Sequence, residues 1–418
     1  MDDLTIVGAQ LADGTRTDLH VAGGRFVAES PSGARRIDAD GLIALPGLVD
    51  LHTHLREPGR EESETVATGT AAAARGGFTA VFAMANTTPV TDTAEAVATQ
   101  HRLAEGASAE VVPIGSVTRG LAGQELSDIA GMHAAGVTVF SDDGFSVPTA
   151  GLVRAAMEQM LPFDGVLAEH CQDATLAGPS ACCHEGEVSR ELGHEGWPTM
   201  AESVIIARDV QVAKELGARL HICHVSTAEG VEVLRWAKGR GVRVTAEVMP
   251  HHLLLTHELL RSGDTTFKVN PPLRPAEDVE AVRAALEDGT IDIVATDHAP
   301  HRAADKDKPF ADASPGLVAL EQVLAVVVET MVLPGRIDWA GLATRMSHRP
   351  AAIGSLPHQG RPIAAGEPAN LVLVDPAARA VIDPEQTSSK ARNNPYRGLD
   401  LPAPVVATYW QGRQTWGG

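Results

Sequence analysis

The amino-acid sequence predicts an α/β protein: a (β/α)8 TIM-type barrel carrying a small β-domain assembled from both chain termini. Three observations predict it. From residue 48 onward, short apolar strands alternate with Ala- and Glu-rich helical stretches, eight β–α units in about 300 residues. Both ends read instead as short strands broken by turn residues, and neither is long enough to bury a sheet alone. The full length, 418 residues, exceeds a typical single core and calls for one large domain with a smaller one.

The first segment holds LTIVGAQLA, DLHVAGGRFVAES and GLIALPG, with DGTR as a turn between the first two. The barrel strands are LVDLHTH, FTAVFAMA, EVVPIGSVT, VTVFSDD, GVLAEH, RLHICHVS, VRVTAEVMP and DIVATDH. Between them, stretches such as ETVATGTAAAARG and AESVIIARDVQVAKELG carry apolar residues at helical period. The strand texture returns near the C-terminus in ANLVLVD, ARAVID and VVATYWQGRQTW. The expected division is a composite β-domain of residues 1–47 and 358–418 beside a catalytic domain of residues 48–357. A doubly wound sheet competes with this architecture, but no Gly-rich phosphate loop comes after the first strand.

Composition narrows the function. Apolar residues make up 44% and charged residues 21%, as in an ordinary globular enzyme. A formal charge of −20 excludes a general nucleic-acid binder, which needs clustered Lys and Arg against phosphates. It leaves room for a small anionic substrate, whose pocket needs only a local cation. Four cysteines are too few for a disulfide scaffold. The opening MDDLTIVGAQLADGT lacks the layout of a signal peptide, and no apolar run approaches a membrane span, so a cytoplasmic location is expected.

The chemistry sits at the ends of the apolar runs. Strand 1 ends in His52 and His54, strand 4 in Asp142 and Asp143, and strand 5 in His170. Strand 6 carries His224, and strand 8 ends in Asp297 and His298. One histidine among 17 means little, but barrel strands converge at their C-terminal ends, where these residues would share one mouth. Imidazole and carboxylate donors without a required thiolate suit Zn²⁺ or another borderline divalent ion. Six donors exceed one tetrahedral site and would satisfy two ions sharing a carboxylate. Such a pair can activate a water for hydrolysis at a carbonyl or phosphoryl centre.

PGLVDLHTHLREPG, with FSDDG, EHCQD, HICHVSTAEG, NPPLR and ATDHAPH, resembles the amidohydrolase superfamily, and within it the larger, two-domain class of bacterial dihydroorotases. The resemblance spans nearly the whole chain. It implies a β-sandwich for the composite domain. It also implies reversible cyclisation of N-carbamoyl-L-aspartate to L-dihydroorotate in pyrimidine biosynthesis, with up to two Zn²⁺ per chain. By that resemblance His52, His54 and Asp297 hold one ion, His170 and His224 the other, and Asp143 bridges them. Strand parity favours Asp143 over Asp142: if Phe140 faces the helices, Asp143 faces the interior. Asp297 is also the expected proton carrier.

Arg56 offers a planar fork for the substrate carboxylate, or alternatively a structural ion pair with Glu57 or Glu61. Asn86 and His301 are further expected carboxylate or ring contacts, Asn270 a ring-amide contact, and Pro315 and Gly316 backbone contacts to the ring. Cys171 reads as a small buried hydrophobe that could approach metal only if its loop rearranged. Many superfamily members bridge the metals with a carboxylated lysine on strand 4. This chain has no lysine between Arg119 and Lys214, which counts against dihydropyrimidinase and allantoinase. An allantoinase- or hydantoinase-like hydrolase and an inactive scaffold for aspartate transcarbamoylase remain the alternatives. The resemblance leaves open a homodimer and an association of the active enzyme with that transcarbamoylase.

Overall fold

The structure is a computed structural model that describes residues 3–417. β1 (Leu4–Leu11) buries Leu4, Ile6 and Ala9. The step from Ile6 to Ala9 breaks strict alternation because the register shifts there, around Gly8 at φ +74°. β1 pairs antiparallel with β2 (Arg16–Ala22), which pairs with β3 (Arg25–Val27). It also runs parallel to β4 (Arg35–Asp38) and β5 (Ile43–Pro46).

Gly47 alone separates β5 from β6 (Leu48–Thr53), where a second strand system begins. β6, β7 (Phe78–Ala83) and β8 (Glu110–Pro113) form a parallel three-stranded sheet. β9 (Val139–Phe140) and β10 (Val166–Glu169) begin another, before a short ladder of β11 (Cys183–His184) and β12 (Gly196–Trp197) in the connecting segment. β13 (Arg219–Ile222), β14 (Val244–Val248) and β15 (Ile293–Val294) then extend the second sheet to the order β15-β14-β13-β10-β9, parallel throughout. Isolated parallel bridges link the two sheets at both edges, Gly115 to Phe140 and Thr53 to His298.

Alternate residues on these strands go to opposite faces. Val49, Leu51, Ala80, Phe82, Val139, Val166 and Ala168 share one apolar cluster. Leu48, Val81, Phe140 and Leu167 belong to another, packed with the helices Val66–Arg75, Ala150–Met160 and Met200–Leu216. The first of these helices shows how the sequence sets its limits. Thr65 and Thr68 form a reciprocal cap at its start, an alanine run favours its interior, and Gly76 ends it.

The C-terminal segment returns to the first strand system. β16 (Leu371–Val374) pairs antiparallel with β5. β17 (Arg379–Val381) and β18 (Asp400–Pro402) form a separate ladder. β19 (Val405–Trp410) and β20 (Arg413–Trp416) complete an eight-stranded sheet, β20-β19-β16-β5-β1-β2-β3 with β4 on β1. Strands from both ends therefore share one sheet. ARAVID does not join it, because Arg379, Ala380 and Val381 are all exposed and offer no apolar face to bury. All four cysteines are free and buried, and among the described residues no helix is long and apolar enough to cross a membrane.

The junction of the two systems is tight. A β-carbon on Gly76 would overlap the Leu320 carbonyl, and one on Gly77, at φ +92°, would lie 2.9 Å from Val372 of β16. Gly76→Ala should therefore lower stability by about 1–3 kcal/mol, the usual cost of overpacking. A urea titration checks this: the midpoint should fall with the slope unchanged.

Candidate metal centre

Strand ends bring the donors together. His52 lies on β6 and His54 just beyond it, while Asp143, His170, His224 and Asp297 come after β9, β10, β13 and β15 within three residues. All six are buried. Asp143 stands among the imidazoles. Its Oδ1 is 3.2 Å from His170 Nδ1, 3.2 Å from His224 Nε2 and 3.5 Å from His52 Nε2, and its Oδ2 is 3.4 Å from His54 Nε2. Asp297 Oδ1 lies 3.0 Å from His54 Nε2 and 3.5 Å from His52 Nε2. Three groups able to hold a metal ion result among the described residues: His52–His54–Asp143 and Asp143–His170–His224, with Asp143 in both, and His52–Cys223–Glu247 on the outer side of His52.

The far side of three rings explains why their lone pairs point inward. His52 Nδ1 is 2.7 Å from Glu247 Oε1, His54 Nδ1 is 3.0 Å from Asn86 Oδ1, and His170 Nε2 is 3.0 Å from Gln172 Oε1. An oxygen acceptor there takes the N–H of the neutral ring, so the other nitrogen presents a bare lone pair. His52 Nε2 is buried with no hydrogen-bond partner, and His170 Nδ1 faces His224 Nε2 at 2.9 Å. Lone pairs crowded onto carboxylates at these distances call for a cation, and imidazole with carboxylate is a donor set that fits Zn²⁺.

The electrostatics are those of a site that can exchange protons for a cation. Burial opposes charge on His52 and His170, but Asp143 and Glu247 raise the His52 pKa well above the usual imidazole range, and Asp143 raises that of His170. Burial works against an ionised Asp143, but His52 and hydrogen bonds from His170 and His224 hold it well below the usual carboxylate range. Burial likewise opposes charge on Asp297, which His52 and His54 hold down.

Asp142 turns elsewhere. Its Oδ1 accepts from Val117 N at 2.7 Å and Thr118 N at 3.0 Å, and the Thr118 hydroxyl donates to Oδ2. Phe140 packs with the helix-facing cluster and Val139 with the opposite one, the alternation that sends Asp143 inward. Cys171 sits in the apolar helix-facing cluster, outside all three metal-holding groups.

Around this centre, Arg56 is 6% exposed, and its Nε donates to Pro300 O at 3.2 Å. Glu57 and Glu61 instead accept from the backbone at Val66 and Gly59, and Arg56 makes no ion pair among the described residues. Asn86 spends its carbonyl on His54 and its amide N–H on Asp143 O, so it holds two metal-facing residues in place. Asn270 donates to Gln172 Oε1 at 3.2 Å and leaves its own Oδ1 buried and unpartnered. His301 donates from Nε2 to Pro315 O at 2.8 Å, leaving a buried, unpartnered Nδ1. Burial, then Arg56 and Lys306, push its pKa down to about 3. The polar backbone groups of Pro315 and Gly316 all bond within the protein: Gly316 N donates to Lys268 O, and Gly316 O accepts from Lys306 and Asn393.

Sequence reasoning missed Glu247 and the role of Gln172. Glu247 had a signal: it is the one acid inside the otherwise apolar strand VTAEVMP, where a buried carboxylate needs partners. Of eight described non-glycine residues with positive φ, three are Arg56 (64°), His224 (36°) and Asp297 (45°). Backbone strain of about 1–3 kcal/mol per residue is thus concentrated at the centre.

Solved structures similar to this one include hydantoinases. The L-hydantoinase (dihydropyrimidinase) of Arthrobacter aurescens matches with a TM-score of 0.88 at 26% identity, over 99% of this chain and 96% of that one. A D-hydantoinase from Thermus sp. matches at 0.86 and 23% identity over 99% and 98%, a likeness of fold alone. Fold and site together define a cyclic-amide hydrolase of the amidohydrolase type. A family model described as dihydro-orotase-like matches residues 41–230. The dihydroorotase of Streptomyces coelicolor is 55% identical over 99% of this chain and 98% of that protein, and that of Mycobacterium tuberculosis 48% identical over 96% and 95%. The chain belongs to the dihydroorotase family.

The two neighbouring aspartates make the centre testable. Asp143→Ala should hold less than one metal equivalent on the His170–His224 side and lose most activity. Asp142→Ala removes a buried hydrogen-bonded carboxylate, so it should lower Tm while retaining metal. Elemental analysis and thermal melting on the same samples separate the two outcomes.

Proposed function

We propose that this chain is a dihydroorotase that interconverts N-carbamoyl-L-aspartate and L-dihydroorotate at a two-zinc centre. The observation that carries the reading is the set of inward imidazole lone pairs around Asp143, with Asp297 beside them. Zn²⁺ held by His52, His54 and Asp297 on one side and His170 and His224 on the other, with Asp143 shared, would polarise the amide carbonyl and acidify water. The architecture we infer is a closed (β/α)8 barrel of residues 48–357, supported by the two bridges between the parallel sheets. Residues 1–47 and 358–418 would fold their shared sheet into a β-sandwich.

The chain's own residues then divide the work. Asp297, ionised at neutral pH, accepts the proton of the attacking water in hydrolysis and passes it to the leaving ring nitrogen. In cyclisation it takes the proton from the carbamoyl nitrogen. Arg56, buried without a carboxylate partner, binds the substrate carboxylate through its fork. Asn270 Oδ1 accepts from the ring amide N–H. His301 is neutral with its N–H committed to Pro315, so Nδ1 serves as an acceptor toward the ring and not as a donor to the carboxylate.

Hydantoin and allantoin carry no free carboxylate and would leave Arg56 unpaired in a buried site. Parallel assays on dihydroorotate, hydantoin and allantoin, with metal analysis, test the reading: turnover of dihydroorotate should dominate. Arg56→Met should lower kcat/KM for dihydroorotate by roughly tenfold to a hundredfold, the worth of a charge-assisted pair, and Arg56→Lys should rescue only partly. Asp297→Asn, compared at equal metal content, should lose about 10²–10⁴ in kcat. A fully metallated Asp297→Asn protein with unchanged kcat would remove Asp297 from the mechanism.

A further inference from the structure

We propose that Lys306 is a positioning residue for this reaction: its buried ammonium ties the loop after His301 into the shape that sets His301 and Pro315 beside Arg56. The inference rests on the proposed substrate and adds a residue to its site. Lys306 is 7% exposed, and its Nζ donates to three backbone carbonyls: Ser314 O at 2.9 Å, Gly316 O at 3.1 Å and Lys268 O at 3.2 Å. Three acceptors match the three N–H groups of an ammonium. No carboxylate lies within ion-pair distance of it among the described residues. A buried charge satisfied only by carbonyl dipoles is a costly way to fasten a loop.

The ties around it run in one direction. Lys268 O also accepts from Gly316 N at 2.9 Å, and Lys268 Nζ donates to Ala311 O at 2.7 Å. Thr265 Oγ1 donates to Lys306 O at 2.6 Å, and Ser314 N to Asp305 O at 2.9 Å. Segment 265–268 is thus a rail along which residues 305–316 are fixed. From Gly316 the order passes to His301. His301 Nε2 bonds to Pro315 O, and a β-carbon on Gly316 would lie only 2.8 Å from the same nitrogen. There is no slack between the loop end and the imidazole. Arg56 is a cation without a carboxylate partner, and Lys306, whose pKa burial pushes down to about 7, adds a partial positive charge, so together they bias this side of the site toward an anion in a chain of net charge −20.

The test is Lys306→Met in the metal-loaded enzyme, with metal content measured. KM for dihydroorotate should rise about tenfold or more while kcat stays within roughly threefold, because ground-state placement is lost and not the proton transfer. Amide hydrogen exchange over residues 302–316 should become faster, and zinc content should not change. Lys306→Arg, which keeps the charge and N–H donors, should recover part of the KM. Lys308→Met, an exposed lysine of the same loop, should behave as wild type. If Lys306→Met does not fold, Thr265→Val, which releases the Lys306 backbone, should shift KM and exchange in the same direction by less. Wild-type KM with wild-type loop exchange in Lys306→Met would overturn the proposal, as would an equal loss of kcat and metal. If the wild-type enzyme does not turn over dihydroorotate, the substrate reading fails, and loop exchange still decides the role of Lys306.

Discussion

Asp143 is the carboxylate on which the centre depends. It touches all four imidazoles, so its two oxygens tie β6, β10 and β13 to the end of β9. Each of those strands ends at a donor, and the order of the strands decides which donors meet. The cost is considerable: a fully buried carboxylate, several buried rings and three residues in left-handed backbone. Such an arrangement stays put only because its outer partners are themselves fixed. Glu247 accepts from both His52 and His221, Asn86 spans His54 and the Asp143 carbonyl, and Gln172 links His170 to Asn270. The donors are aimed by groups on their outer side.

Much of this was legible in residue order, for physical reasons. Period-two burial and the helical period of alanine-rich stretches locate strands and helices, and ligand residue types stand out where an apolar strand stops. Asp143 could be separated from Asp142 because alternation on a strand is rigid, and Phe140 needed the helix layer. The aiming groups were harder to see. Gln172 and Asn86 are neutral amides in loops, whose contacts depend on tertiary placement and leave no periodic trace. Lys306 reads as one more charge in HRAADKDKPFADASPG, and nothing local shows that its ammonium points inward. ARAVID has the apolar alternation of a sheet strand, yet its surroundings expose it, and burial is what distinguishes a sheet member from an isolated ladder.

The likeness to hydantoinases at about a quarter identity, beside dihydroorotases at about half, shows how one scaffold serves neighbouring chemistries. The strand system is common ground. In the proposed function, what separates substrates lies in loops at the strand ends, where Arg56, Asn270 and His301 sit.

The eight-stranded sheet has a consequence for how the molecule is made. β5 finds one of its partners in β16, more than 320 residues later in the chain, and β16 in turn pairs with β19. During synthesis the N-terminal strands emerge first and must wait, with the β5 edge open, until the intervening helices and strands have left the ribosome. Within the two parallel sheets the strands can pair while this edge is still bare, since their partners lie much nearer in the chain. The last strands then act as a seal, so a message cut short near its end yields a chain with a complete metal centre and an unsatisfied strand edge, the kind of surface on which chains stick to one another.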